Sequence, residues 1–563
     1  MFTLTERTKL IVGIDYGTTY SGLSFAFSNA TDFKDIFPWT KYPGSSSHSA
    51  EHCVKAPSQV AFKDENPELD DNAWGYQVSP GMKTYCWTKL LLDKSAVKTE
   101  FDDPEIYSGG EFNTIQNFKG RSAKDVATEY LRGMKRMFDV AVREHLGGQS
   151  IDSLPIEYWL TVPASWSEKA KLLTKSAAME AGFATRPIDK IMLISEPEAA
   201  AQLALKSSLH RVENFVQPKT GVMICDCGGG TVDITTYEVE ETHPTLMLRE
   251  IAVGNAGKCG GTFVDRNLSK LMAQRFGDAF TSLEPQQTGP GSVFMDQFEL
   301  KKKDFSLHVP SRRAHRLVLH MPQLTSTPET ERFYERRSSS VLLTQLDYKL
   351  LFDPVVDRVI GLIQDQINQV KVKNERPVET IVLVGGFGSS PYLKERLTEW
   401  CDARGIRLTT PITGAWSAVV CGAVLRGLEG SIVKQKKCRR HYGHMLSGGL
   451  VDPDTEINSP FVCSFVGRLP RSRHHMLYSC SMDDAPETIE NERVEELGKV
   501  VYTLRGLDVD FTSLAQAKHG DVTHYHLPLT LNIRLGDEAG HLIFRILYKG
   551  REVGKAAISV ADD

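Results

Sequence analysis

Leu10-Ile-Val-Gly-Ile-Asp15-Tyr-Gly17-Thr18-Thr19, followed by Ser21-Gly-Leu-Ser-Phe-Ala-Phe27, is an apolar run that ends in Asp, Gly and hydroxyls before a second apolar run begins. It predicts a strand, a tight glycine turn and a returning strand. Far downstream the same grammar recurs in Val222-Met-Ile-Cys-Asp226-Cys-Gly228-Gly229-Gly230-Thr231-Val-Asp233-Ile-Thr-Thr-Tyr-Glu-Val239. Two such units predict a duplicated lobe, each copy presenting one loop to a shared cleft. Helical patterns fill the space between them. Ser122 to Asp125 opens a run with Val126, Tyr130, Met134, Met137 and Phe138 on one face, closing near Gly147. Ser165-Trp-Ser-Glu168 predicts a capping box with Gly182 as the stop, and Asp353-Pro354 predicts the start of a helix carrying Val355, Val356, Val359, Ile363 and Ile367. Strands alternating with such helices give an α/β class.

The two glycine loops carry the chemistry. Gly17, Thr18 and Thr19 offer backbone N–H groups and hydroxyls where side-chain bulk would block phosphate oxygens, and Gly228, Gly229, Gly230 and Thr231 can do the same from the opposite side. A tight hairpin also wants glycine, so either loop alone is ambiguous. Together, each with an Asp at the strand end, they favour a phosphate clamp. Asp15 and Asp226 would face the cleft with no cation partner evident in the sequence. Mg²⁺ uses one or two carboxylates besides nucleotide phosphates, which suits that pair. Cys225 and Cys227 share the strand face opposite Asp226 and read as buried packing ahead of a redox pair.

Composition narrows the classes. The 563 residues carry 66 basic and 71 acidic side chains, a net charge of −5, so no global basic field suits nucleic acid. With 41 % hydrophobic residues the chain is neither disordered nor fibrous. No run reaches the roughly 18 apolar residues of a membrane span, and the start flows into the first glycine motif, unlike a signal peptide. Ten Cys without a CxxC pair argue against disulfide and zinc scaffolds, so a cytoplasmic setting is expected. Thr281 to Ser340 reads as an irregular insert. After about residue 430 helical periodicity fades. Lys434, Lys436, Lys437, Arg439 and Arg440 read as an exposed linker, with nuclear import a minor alternative. Short β-like segments follow at 461–466, 500–504, 525–533, 542–547 and 556–560. His474, His475, His524 and His526 lack metal-ligand spacing.

These residues resemble the superfamily of actin, hexokinase-type sugar kinases and the 70-kDa heat-shock chaperones. VGIDYGTTYSG is similar to its first phosphate motif, ISEPEAAA (194–201) to the first connecting helix of the heat-shock branch, and CDCGGGTVDIT to the second phosphate motif. IVLVGGFGSSPYLKERL (381–397) resembles the adenosine motif and WSAVVCGAVLRGL (416–428) the second connecting helix. Five ordered matches over about 430 residues are specific together. The resemblance implies an actin-like ATPase fold of two duplicated lobes over residues 1–430, each a mixed sheet with flanking helices. Lobe I would take 1–205 and the helix 411–430, lobe II 215–410, and a β-rich domain 431–563. It implies ATP or ADP with Mg²⁺ at Asp15 and Asp226. Lys89 would reach the γ-phosphate, with Lys83 the competing assignment. Glu196 would stand behind the attacking water and Asp233 near the metal. Glu299 and Lys302 would hold the ribose, Lys303 and Ser306 the adenine, and Gly385, Gly386 and Ser389 would belong to the adenosine loop.

The chain also departs from that pattern. Ser389 stands where an arginine usually stacks on adenine, and Trp416 replaces an acidic residue. No acidic-then-leucine linker follows Leu428, and no room is left for a helical lid, which resembles the divergent, lidless branch. The expected function is slow Mg²⁺-dependent ATP hydrolysis coupled to lobe closure, with a chaperone-like role, and with polypeptide clients or a regulatory protein at the β domain. The alternatives are a nucleotide-regulated interaction module without significant turnover and a small-molecule kinase.

Overall fold

After the first apolar strand the chain reverses at Gly17-Thr18-Thr19, while Tyr16 stays buried in the core. The computed structural model describes residues 8–45, 54–79, 81–93, 100, 120–145, 154–209, 215–308, 314–411, 414–437, 441–442, 450–451, 456–480, 494–519, 522–534 and 543–557. β1 (Leu10–Asp15) and β2 (Tyr20–Phe27) form the first hairpin, in which Asp15 stands opposite Gly22. β3 (Ile156–Val162) lies parallel to β1, and β4 (Lys190–Ser195) parallel to β3. The second hairpin is β5 (Gly221–Cys227) with β6 (Val232–Glu241), where Asp226 stands opposite Asp233. β7 (Val378–Val384) lies parallel to β5, and β8 (Arg407–Thr409) parallel to β7. Both sheets therefore run returning strand, Asp strand, parallel strand, parallel strand. The duplication expected from two motifs extends through four strands of each lobe.

The flanking helices are α1 (Ala123–His145), α2 (Glu168–Glu180), α3 (Glu196–Leu209), α4 (Thr262–Phe276), α5 (Val293–Asp304), α6 (Gln345–Val372), α7 (Pro391–Asp402) and α8 (Ala418–Glu429). α3 and α8 cross with almost no side-chain spacing, because Gly422 leaves the backbone of α8 against the Ala199 carbonyl of α3. An ion pair between Lys206 and Glu429 and a hydrogen bond of 3.2 Å from Gln202 to the Gly430 carbonyl secure their far ends. Alternating burial along α1 (Val126, Tyr130, Met134, Phe138) seats it on the first sheet.

Three local expectations are corrected. Ser167, not Ser165, caps α2 by accepting from the Ala170 N–H, while Ser165 turns its hydroxyl to Asp233 at 3.4 Å. α6 begins after Thr344, whose reciprocal box with Asp347 satisfies two free N–H groups, so Asp353-Pro354 lies inside the helix. The basic run opens as a strand, Val433–Lys437, paired in parallel with Leu248 and Arg249. Within the insert, α5 and the three-stranded sheet of His315–Val318, Ser340–Leu343 and Tyr334–Glu335 are regular. Gly147, Arg439, Arg440 and residues 558–560 lie outside the described residues.

The chain divides into two bodies, residues 1–247 with 254–432, and residues 248–253 with 433–563. In the second, His441–Tyr442, Ser472–Cys480, Val494–Thr503, Arg551–Ala557, Ile543–Tyr548, Val522–Arg534 and Glu456–Val466 follow one another across an antiparallel sheet. Leu527, Leu529, Leu531 and Ile533 are buried at every second position, with Leu477, Val500, Phe544 and Ile546, so one face carries the core. Ser472–Cys480 was not expected as a strand. His526 shares a 2.9 Å hydrogen bond with Ser464, and His475 packs 4.4 Å from Phe461. No metal-holding cluster of His, Cys, Asp or Glu occurs among the described residues, and no helix there is long and apolar enough to cross a membrane.

Candidate functional site

The turns of the two hairpins meet across one cleft, which both loops line. A side chain on Gly229 would run into Thr19, and one on Gly230 would come within 2.7 Å of Thr18, so only glycine lets the loops approach this closely. The N-terminal approach to α4 clamps the second loop: Gly261 N–H donates to the Gly228 carbonyl at 3.1 Å and Thr262 N–H to Gly229 at 2.8 Å. Gly385, at φ +86°, closes the floor in a backbone conformation that disfavours other residues, with its Cα against the Asp226 carboxylate.

Of the residues singled out in the sequence, Asp15, Gly17, Thr18, Thr19, Lys89, Glu196, Asp226, Gly228, Gly229, Thr231, Gly385 and Gly386 line this cleft, as does Trp416. Lys83 instead pairs with Glu65 at the surface, while Lys89 is buried and hydrogen-bonds to Glu196. Gly230 and Asp233 are not part of the lining: Gly230 packs against Thr18, and Asp233 stands opposite Asp226 in the ladder. Glu299 and Lys302 form a closed network with Asp265, in which Lys302 donates to Asp265 at 2.7 Å. Burial and then Glu299 push Asp265 up to about 6, against the pull of Lys302. Lys303 reaches the rim by donating to the Tyr20 hydroxyl at 3.1 Å, with its ammonium 4.6 Å from the Tyr20 ring and 5.5 Å from Trp416. Ser306 gives its hydroxyl to Glu395, and Ser389 is exposed on the turn before α7.

Sequence reasoning missed Lys55 and Tyr20. Tyr20 follows the first motif directly and could have been taken with it. Lys55 could not: it lies 40 residues from Asp15, yet its ammonium donates to Asp15 Oδ2 at 2.6 Å. Thr161 donates to the other oxygen at 2.9 Å. Asp15 thus has the cation partner that the sequence did not reveal. Burial alone would raise its carboxyl, but Lys55 and Lys89 reverse this and hold it below the usual range.

Asp226 is the counterpart in which the raising influences outweigh the pull of Lys55. It is 5 % exposed, and among the described residues no cation pairs with it. Burial, then the charges of Glu196, Asp233 and Asp15, hold its carboxyl well above the usual range. Burial, Asp15 and Asp233 likewise push Glu196 up to about 7, while direct contact keeps Lys89 protonated; the hydrogen bond favours the ion pair. Behind the strand, Cys225 and Cys227 sit 3.6 Å apart and buried. The adjoining Cys225 thiol and burial hold Cys227 well above its ordinary range, so it is no thiolate.

Two glycine loops facing each other across paired acids and a lysine are joined by a match over the whole first body. The family model described as Hsp70 protein covers residues 11–431. This chain belongs to the Hsp70 family. Its relatives among characterised proteins include distant ones. It is 26 % identical to human heat shock 70 kDa protein 12B over 519 residues, covering 77 % of this chain and 71 % of the relative. It is 23 % identical to mouse heat shock 70 kDa protein 12A with the same coverage. To the chaperone protein DnaK of Thermosipho melanesiensis it is 23 % identical, covering 81 % and 67 % of the two chains. Membership supports an ATP-binding, chaperone-like protein with the actin-like fold and a β-rich C-terminal region.

The Mg²⁺ expected with the nucleotide fits the donor set on one side only. Asp226 is a buried carboxylate with no ion-pair partner among the described residues, whereas both oxygens of Asp15 are engaged.

Proposed function

We propose that the cleft binds ATP with Mg²⁺, that the protein hydrolyses ATP slowly, and that lobe closure over the nucleotide is its conformational output. The observation carrying this is Asp226, a buried carboxylate without a cation partner among the described residues, opening between two phosphate-sized loops. Gly17 to Thr19 and Gly228 to Thr231 would present N–H groups and hydroxyls to the phosphate chain. Asp226 would hold the metal ion, with Asp233 behind it; bound there, the ion offsets phosphate charge. Lys89 would exchange Glu196 for a terminal phosphate oxygen, stabilising charge on the transferring group. Glu196, once released, would orient the attacking water and accept its proton, its carboxyl raised by burial and by the charges of Asp15 and Asp233. Glu299, Lys302, Lys303 and Ser306 would flank the ribose and base, and Tyr20 with Trp416 would form an aromatic wall in place of the arginine that Ser389 lacks. The α3–α8 crossing would be the pivot. The second body would receive a polypeptide client or regulatory protein, in the cytoplasm.

One observation favours a second reading, a nucleotide-regulated interaction module without significant turnover: Lys89 and Glu196 are locked on each other. Titration of ATP and ADP with and without Mg²⁺, followed by single-turnover hydrolysis, separates the two. Wild-type hydrolysis well above Lys89→Ala and Asp226→Ala supports the ATPase. Tight binding with hydrolysis no faster than either variant supports the module, and no binding at all overturns both.

A further inference from the structure

Lys55 belongs to neither phosphate hairpin, yet its side chain ends in the cleft. Its position is built by the first hairpin. Gly22 stands across the ladder from Asp15, and a side chain there would meet Lys55 Cγ at 3.1 Å and Cε at 3.5 Å. The missing side chain is the slot along which the lysine stem reaches the carboxylate. Pairing of Ser21 with Ala56 and Tyr20 with Pro57 sets the register of the segment, and the Tyr76 hydroxyl donates to the Lys55 carbonyl at 3.0 Å.

The lysine is 8 % exposed, and among the described residues the Asp15 carboxylate is the acceptor for its ammonium, at 2.6 Å. An ammonium carries three N–H donors. One is spent on Asp15, and the ammonium stands in the lining that Gly17, Thr18 and Thr19 share. Thr161 already satisfies the other Asp15 oxygen. Neutralising Asp15 therefore uses only part of what this buried cation can do, and unspent buried donors are costly.

We propose that Lys55 is a second phosphate-binding lysine of the cleft, whose remaining N–H donors take an oxygen of the phosphate chain of a nucleoside di- or triphosphate. This deepens, and rests on, the reading of the cleft as an ATP site. The consequence is a fixed positive charge on the Asp15 side, so that nucleotide is partly neutralised by the protein before any metal ion arrives. Asp15 competes with the phosphates for the ammonium, and removing its charge strengthens the contact.

The test is isothermal titration of the full chain with ATP, in excess EDTA and in excess Mg²⁺, for wild type, Asp15→Asn and the double variant Lys55→Met with Asp15→Asn. The double variant is used because Lys55→Met alone would strand a buried carboxylate, and thermal melts check that both variants fold. Asp15→Asn is expected to bind metal-free ATP about tenfold more tightly than wild type. The double variant loses that gain and binds about 10- to 100-fold more weakly than Asp15→Asn. Equal metal-free affinities for Asp15→Asn and the double variant overturn the role of Lys55 while leaving the ATP site standing. Wild type that binds no ATP even with Mg²⁺ overturns the site itself.

Discussion

Asp226→Asn keeps the shape of the side chain and removes its charge, and it should move stability and nucleotide binding in opposite directions. The carboxylate is 5 % exposed and sits among the like charges of Glu196, Asp233 and Asp15. Relief of a buried charge without a paired cation is worth about 1–3 kcal/mol, so the metal-free variant should melt roughly 1–3 °C higher for a body of this size. The folded-state pKa lies above the unfolded one, so the fold binds more protons and wild-type stability falls as pH rises through that interval. The gap between variant and wild type should therefore be widest above the raised pKa and close as pH falls towards about 4, where a protonated Asp resembles Asn. With Mg²⁺ the order reverses. Losing the carboxylate that faces the metal should weaken MgATP by roughly 10- to 150-fold, about 1.5–3 kcal/mol. Scanning fluorimetry across that pH range with EDTA, and calorimetric titration of MgATP, measure both effects. A variant less stable than wild type without metal, or one that binds MgATP equally well, would refute the reasoning.

Lys89→Ala should lower the single-turnover rate about 10²- to 10³-fold and, by stranding Glu196, cost about 3–5 kcal/mol of stability. Adding Glu196→Gln should return the melting temperature but not the rate. Gly422→Ala places a methyl on the Ala199 carbonyl and should destabilise the first body by about 3 kcal/mol or more, read by thermal melting. An unchanged melt would mean the two helices can part freely. Trp416→Ala, which deletes a ring 5.4 Å from Tyr20, should weaken nucleotide binding about 3- to 10-fold and reduce the fluorescence change on ATP addition, whereas Trp416→Phe should retain most of the affinity.

The hairpins were legible because everything that makes them is local: an apolar run, an acid, glycines and hydroxyls within ten residues. Connecting helices were legible for the same reason. Ser165 and Thr344 show where local signals run out. Two serines compete to cap α2, and the choice falls to Ser167 because Asp93 accepts from its N–H at 2.9 Å, a contact 74 residues away. At α6 a prolyl residue looked like a start, although the helix begins at the earlier Thr344–Asp347 box and runs on through Pro354. The strand that carries the lysine run pairs through Val433 and Gln435 with Leu248 and Arg249, a partner that no window of sequence contains. Lys55 is the strongest case. Its meaning depends on an empty place at Gly22, and an absent side chain leaves no pattern to find.

Duplication gives each lobe an Asp near the end of the same strand, and the residue opposite decides what each becomes. Across from Asp15 is Gly22, whose vacancy admits Lys55 and gives that carboxylate a cation. Across from Asp226 is Asp233, a second acid, which deepens the negative charge. Equivalent backbone positions thus hold opposite electrostatics. Under the proposed function, a nucleotide entering between them would meet a built-in ammonium on one side and a carboxylate wanting a cation on the other, which would favour one place for the metal ion and one orientation of the triphosphate. Symmetry of the backbone explains why there are two loops; the glycine–aspartate difference across the ladders explains why they do not do the same work.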